Sequence, residues 1–499
     1  MHRKAGLLSA VTAALLCGMC VLPAFAEEDA AAANTYTDGM FVFEYVDGGV
    51  ALNSCDTSAL AVDLPEETDG RRIVGISAGA FYGCTKLQGV KLPDSVTYIG
   101  DGAFMGCESL HSITLPDSVK SVGQGAFNSC TGLTKLVLPK GLTEIPDNMC
   151  AGCMELEELT LPASLETIGT SAFYTCSSLH DPQFPDTLRH IGDYAFGFCQ
   201  SLDTVTIPDS VESLGTATFY GCGNLTGFTV PAGMTDLGTL TFMGCQSLSA
   251  FSVDPANTTY TEQDGVLYTD GGATLYAYPA GSEAEQFSIP EGVETIYDGA
   301  FFSAVNLRQL EFPGSLRTVG AGAFEYCTGL RTLALPEGLT TVNDHGFADC
   351  TSLGALVLPS TLTHIGAYAF YGCTSLKTAE LPRGLDDVGE YAFGYRDGEE
   401  TDEDGIPVPV KIEGFSLKGG VSAGKIVWGI AGGIVILVIV VLLVRTIRKN
   451  QLTPEESEAL RRSDEAARDR ELSEEDAKYT KILDAIEQSE QDEDRDDSE

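Results

Sequence analysis

Apolar residues return along this chain on one fixed step. The stretch Leu87 to Leu110, LQGVKLPDSVTYIGDGAFMGCESL, holds the whole pattern. Phe81, Phe104, Phe127, Cys150, Phe173, Phe196, Phe219 and Phe242 are 23 residues apart, and after one interruption Phe301, Phe324, Phe347, Phe370 and Phe393 resume the step. Such a period marks a solenoid, because one repeat of this length cannot bury its own apolar face and must stack on its neighbours.

The columns of the repeat predict its path. Leu87, Val90 and Leu92 alternate with Gly89 and Lys91, the pattern of a half-buried strand. Pro93 ends it, since proline has no N–H for a continuing ladder. Only small residues follow at the next turn: Ser95, Ser118, Gly141, Ser164, Thr187, Ser210 and Gly233, then Gly292, Ser315, Gly338, Thr361 and Gly384. Glycine fits tightly at the close of a type I turn, and a hydroxyl there can bond nearby backbone. Val96 and Ile99 supply a second short apolar pair, and the AF-x-G-C run is expected to bring the chain back through one helical or 3₁₀ turn. Phe104 is the large core filler. Eleven cysteines share the next column, from Cys84 and Cys107 to Cys350 and Cys373. Ala304 and Arg396 occupy it in two repeats whose other columns are intact, so these thiols read as small apolar fillers and not as a metal or redox chain.

The consensus L-x-x-V-x-L-P-x-S-V-x-x-I-G-x-x-A-F-x-G-C resembles the repeat of the BspA-like leucine-rich repeat proteins of bacterial surfaces, over about Phe41 to Phe393. Met149 and Cys150 depart from it in place of Ala and Phe. The resemblance implies a horseshoe-type leucine-rich repeat solenoid, mainly β with short helical or 3₁₀ turns and a parallel sheet on one face. It further implies attachment to host proteins, other cells or matrix, and it brings no catalytic residues.

Outside the repeats the chain divides by composition. Residues 1–26 read as a signal peptide, with Arg3 and Lys4 before an apolar run and Ala24-Phe25-Ala26 at the cleavage site. Residues 27–39 form a linker. A capping hairpin is expected over 40–63, carried by the Gly48-Gly49 turn. The repeats are assigned to 64–253 and 282–395, separated by an inserted β-hairpin at 254–281. Residues 396–425 hold an acidic loop, a terminal cap and a juxtamembrane linker. Ile426 to Val444 is nineteen residues without a charge, long enough for one C-terminal transmembrane helix. Arg445, Arg448 and Lys449 follow it, which puts the repeats outside and the tail 445–499 in the cytoplasm. Gly429 and Gly433 form a small-xxx-small pair of the kind that supports weak homodimers. The tail is acidic and partly helical by pattern, and too short for a kinase or phosphatase domain.

Charge and missing motifs narrow the function. The chain has 72 acidic and 29 basic residues, and Glu27 to Lys425 alone has 53 against 17. That field repels nucleic acid and anionic membrane surfaces. Gly75-Ile76-Ser77-Ala78-Gly79 and Gly420-Val421-Ser422-Ala423-Gly424 spell G-x-S-x-G, but the first is a repeat turn and the second is juxtamembrane. Cys150-Ala151-Gly152-Cys153 spells C-x-x-C only because two repeat columns fall there. The six histidines have no metal-ligand spacing. No enzyme, cofactor or metal site is therefore expected.

Strand alternation turns Lys91, Thr114, Lys135, Glu158, Thr160, Gln183, Thr204, Thr206 and Thr229 outward, a mostly polar, uncharged candidate binding face. Tyr260, Tyr268, Tyr276 and Tyr278 of the inserted hairpin form a second candidate, although tyrosine is also a good strand residue that packs on neighbouring rungs. The expected function is a membrane-anchored bacterial surface protein that binds an extracellular protein or glycan. The alternatives are a structural spacer without a dedicated partner, or a receptor signalling through its tail.

Overall fold

The computed structural model describes residues 35–396, 410–411 and 416–418. The expected signal peptide, transmembrane helix and cytoplasmic tail lie outside these residues, as does most of the acidic loop. No helix among the described residues is long and apolar enough to cross a membrane.

Three antiparallel strands open the stack: Thr35–Asp38, Phe41–Val46 and Gly49–Cys55. Asp47 and Gly48 make the tight turn between the second and third, with Gly48 at φ 86°, a conformation open to glycine without steric cost. The third strand pairs in parallel with Arg71–Ile76, so the cap hands its hydrogen bonds directly to the first rung.

Most following rungs contribute to three ladders. The first is built of strands such as Gly89–Lys91, Ser112–Thr114, Lys135–Val137 and Glu158–Thr160. The second consists of two-residue strands after the proline turn, Tyr98–Ile99 and Ser121–Val122 among them. Both pair in parallel with residue i opposite i+23, as in Lys135↔Glu158 and Tyr98↔Ser121. The third ladder is the AF-x-G-C segment. It is not the helical or 3₁₀ turn that the sequence suggests. Gly102, Phe104 and Gly106 donate to Gln124, Ala126 and Asn128 of the next rung at 2.7–2.8 Å, while Ala103, Met105 and Cys107 donate three residues back. This alternation needs left-handed residues at two points per rung, Gly102 at φ 56° and Gly106 at φ 74°, and such residues interrupt any helix. The one 3₁₀ element in the described chain, Asp270–Gly272, lies in the interruption between the two repeat blocks.

The interior is a column of stacked rings. Centroids are 4.8 Å apart for Phe81–Phe104, 5.1 Å for Phe104–Phe127 and 4.7 Å for Phe324–Phe347, with ring planes within 9° of parallel. Cys150 fills the gap between Phe127 and Phe173, and Met149 beside it is fully buried. The cysteine column does more than fill space. Cys107 Sγ donates to Phe81 O at 3.2 Å, Cys130 to Phe104 O at 3.1 Å and Cys222 to Phe196 O at 3.1 Å, so each thiol caps a carbonyl of the rung before. All thirteen described cysteines are buried and unbridged. The small-residue column also reaches back one rung: Ser118 Oγ donates to Val96 O at 2.7 Å and Thr187 Oγ1 to Leu165 O at 2.7 Å.

The segment at 254–281 differs from a simple inserted hairpin. The expected hairpin is present, Val266–Thr269 pairing antiparallel with Thr274–Ala277, but Thr261–Gln263 adds a third antiparallel strand and Thr274–Ala277 is at the same time a second-ladder strand, with Thr274 opposite Thr295. Tyr278 takes the Phe column, stacked on Phe301 at 4.7 Å and donating its N–H to Ala300 O. Half a rung is therefore present inside the apparent interruption.

Candidate interaction surface

The nine residues of the predicted binding face are all exposed. Lys91, Thr114, Lys135, Glu158 and Thr160 lie on successive first-ladder strands and Thr229 on Gly227–Val230. The face is not continuous. Pro182 stands at the inward position of its rung, where Ile113, Leu136 and Leu159 stand in others, and it lacks a ladder N–H and biases Asp181. Residues 180–184 and 203–207 are in no strand, so Gln183, Thr204 and Thr206 sit on irregular backbone between two stretches of ladder. The signal was legible, because an interior proline demotes a strand, but the repeat frame hid it.

Several of these side chains are engaged with neighbours. Lys135 pairs with Glu158 directly opposite, and Lys91 with Asp63 at 3.4 Å. Thr229 Oγ1 and Ser252 Oγ share a hydrogen bond at 2.7 Å, and Gln183 donates to Asp181 at 2.6 Å. Such exposed pairs contribute little to stability. Much of the acidic charge sits on the turns, where it has local work. Asp101, Asp147 and Asp193, every second rung, accept the N–H of Gln124, Thr170 and Thr216 at 2.7–2.9 Å, and Asp298 and Asp344 repeat the arrangement in the second block.

The second candidate, the tyrosines, is not a projecting knob. Tyr260, Tyr268, Tyr276 and Tyr278 are 5%, 4%, 7% and 6% exposed. Tyr276 stacks on Tyr297 at 4.9 Å and meets Tyr260 edge-on, and Tyr260 Oη accepts from Leu237 N–H at 3.0 Å. They close the core where the two repeat blocks meet. Their aromatic surface is therefore used in packing, which is what large rings do when a flanking rung is incomplete.

Parallel rungs of 23 residues around a ring column define a β-solenoid of the leucine-rich repeat class. The family model described as the BspA type leucine rich repeat region matches residues 68–180, 166–264 and 275–398, and the chain belongs to that family. Among solved structures, a leucine rich cell surface protein from Faecalibacterium prausnitzii A2-165 is 28% identical, over 68% of this chain and 93% of that one, with a TM-score of 0.53. A leucine-rich repeat protein from Bacteroides ovatus ATCC 8483 is 23% identical over 77% and 100%, at 0.42, and the pneumococcal vaccine antigen PcpA 18% identical over 78% and 88%, at 0.49. No curated protein matches. The family is one of bacterial surface repeat proteins, and no catalytic family is indicated.

Proposed function

We propose that this chain is a membrane-anchored surface module that binds an extracellular protein or glycan along the outward face of its first ladder. The observation that carries the reading is the contrast between that face and the rest of an acidic chain. Ser112, Thr114, Thr160, Thr229 and Thr378 are exposed and uncharged there, and among the charged residues of the face Lys135 and Glu158 pair with each other, while many carboxylates ride on the turns. Short hydroxyl side chains let a partner's backbone or sugars approach closely. The resemblance to a cell surface protein at 28% identity supports the location.

The test replaces Thr160, Thr204, Thr206 and Thr229 together by Lys and measures attachment of cells to epithelial or matrix-coated surfaces. Attachment should fall at least tenfold with the melting curve unchanged; unaltered attachment would favour a spacer. Anchoring through Ile426 to Val444 has its own test. Protease added to intact cells should remove the repeats and spare a tail epitope within 445–499, and an epitope recovered in the digested fraction would reverse the orientation.

A further inference from the structure

In the second block, the column that precedes each first-ladder strand reads Glu285, Arg308, Arg331, Gly354 and Lys377. Backbone bonds hold it rung to rung: Arg308 N–H to Glu285 O at 2.8 Å, Arg331 N–H to Arg308 O at 3.5 Å and Gly354 N–H to Arg331 O at 2.9 Å. Residues 282–395 contain Arg308, Arg317, Arg331, Lys377 and Arg383 as their basic side chains, so most of their positive charge stands in this one column.

The charges are unevenly satisfied. Arg308 pairs with Glu285 at 3.1 Å. Arg331 has Arg308 on one side and Gly354 on the other, and like charges opposite each other on neighbouring strands are destabilising. Among the described residues no carboxylate pairs with Arg331 or Lys377. Lys377 Nζ reaches only the Thr374 carbonyl, at 3.3 Å. Gly354 is exposed, and a Cβ built on it would meet nothing nearer than Arg331 O at 4.0 Å. A groove of about 480 Å³ runs beside the column from Glu283 and Glu285 past Arg308 to Arg331, with Thr328 and Ser352 on its wall; Gly354 and Lys377 lie beyond that lining.

We propose that Arg331 and Lys377, two rungs apart in this column with only Gly354 between them, bind the carboxylate or sulfate of an acidic saccharide. Two strand steps of about 4.8 Å separate them along the column, a span that two long side chains can close around one anion. Arg331 presents a fork matched to a carboxylate or sulfate, and Lys377 a point charge. The hydroxyls of Thr328 and Ser352, the amide of Asn306 and the carboxylate of Glu283 suit the hydroxyls of the attached sugars. Val305 is the one large apolar side chain of the lining, which leaves a peptide without the buried anchor that such partners need. The field of the acidic chain opposes an extended polyanion, so the ligand carries a single acidic group on an otherwise neutral glycan. This deepens the surface-binding reading and rests on it, with a site at the edge of the same ladder.

Titration calorimetry on the full chain tests it with 3′-sialyllactose as the carboxylate probe, lactose 3′-sulfate as the sulfate probe, lactose as the neutral one and a glutamate-rich hexapeptide as the acidic peptide. At least one acidic sugar should bind tenfold or more tighter than lactose, and the stronger of the two identifies the natural group. Gly354→Asp, which sets a carboxylate between the two cations, and Arg331→Gln should each weaken that binding tenfold or more without moving the melting curve. Equal binding of lactose, binding unchanged in both variants, or preference for the peptide overturns the proposal. The Lys-substituted strand face separates the two readings. If that variant keeps both cell attachment and sugar binding, the strand-face reading fails alone; if it loses attachment while Gly354→Asp leaves sugar binding intact, the anion site fails alone.

Discussion

Replacing Phe196 by Ala should open the stack at its middle. Phe196 is fully buried, with its ring 5.4 Å from Phe173, 5.8 Å from Phe219 and edge-on to Phe184 at 5.5 Å. Truncation of such a ring costs about 3–5 kcal/mol in transfer and cavity terms. A solenoid this long need not unfold in one step, so the loss is best read locally, by native-state hydrogen exchange. The Phe196 amide, bonded to Thr218 O at 2.9 Å, and the Phe173 amide, bonded to Ala195 O at 2.8 Å, should lose roughly a hundred- to a thousand-fold protection or more, at tenfold per 1.4 kcal/mol. The chain supplies a control, because Met149 and Cys150 occupy the same two positions without a ring. Ala195→Met combined with Phe196→Cys copies that rung, and the flexible thioether should recover about 1–2 kcal/mol of the loss. Unchanged protection in Phe196→Ala would mean that the ring column does not bear the stack. A double variant no better than the single one would mean that Met149 does not fill the space left at Cys150.

Native thiols should resist maleimide at pH 8 and react only after denaturation. Burial pushes Cys222 and Cys327 up to about 12, and rapid labelling of either would contradict their place in the core. Because a raised thiol value favours the neutral form, their stabilising contribution is present below pH ~9 and is lost as pH rises through about 12. Burial, with Asp349 nearby as the lesser cause, raises Glu325 to about 7. Its contribution is full below its unfolded value near 4.5 and lost as pH climbs through 7, so Glu325→Gln should raise stability at pH 8 by roughly 2–3 kcal/mol and flatten the profile between pH 4.5 and 7; an unchanged profile refutes it. Ser118→Ala should cost about 1 kcal/mol by leaving Val96 O without its hydroxyl, measured by exchange at that rung, and a neutral result would mean that water replaces it.

Periodicity made the stack legible because burial acts on every rung alike: Phe104 and Cys107 take the same buried places in their rung as Phe127 and Cys130 in the next, so one reading served for all. Direction of hydrogen bonding was not legible. A pattern of apolar positions says that Cys107 is inside, and cannot say that its thiol reaches the Phe81 carbonyl, since that depends on the offset between rungs. The AF-x-G-C turn was misjudged for a related reason. Gly102 and Gly106 announce left-handed backbone, but Tyr194 and Phe198 hold the same positions at φ 53° and 58° under the pull of rung-to-rung bonds, and local propensity does not foresee that. The sequence singled out Tyr278 as a hairpin aromatic but not as a member of the Phe column, because a frame anchored on Phe passes over the tyrosine that takes its place.

Errors of frame matter little to the fold and much to the surface. Each rung touches only its neighbours, so a break such as Pro182 stays local while the second ladder continues beside it, His190 opposite Thr167 and Ser213. The inward columns are held by packing that every rung repeats, whereas the outward ones are free to change one residue at a time. Candidate recognition sites are accordingly found where an outward column departs from its own sequence of neighbours. The alternation of Asp101, Asp147 and Asp193 is a departure that the backbone explains, since each carboxylate accepts the next rung's amide. The run Arg308, Arg331, Gly354, Lys377 is one that the backbone does not explain. Among the described residues the one ion pair of this column is Arg308 with Glu285, although Glu283 lines the same groove, and the proposed anion would pair with Arg331 and Lys377.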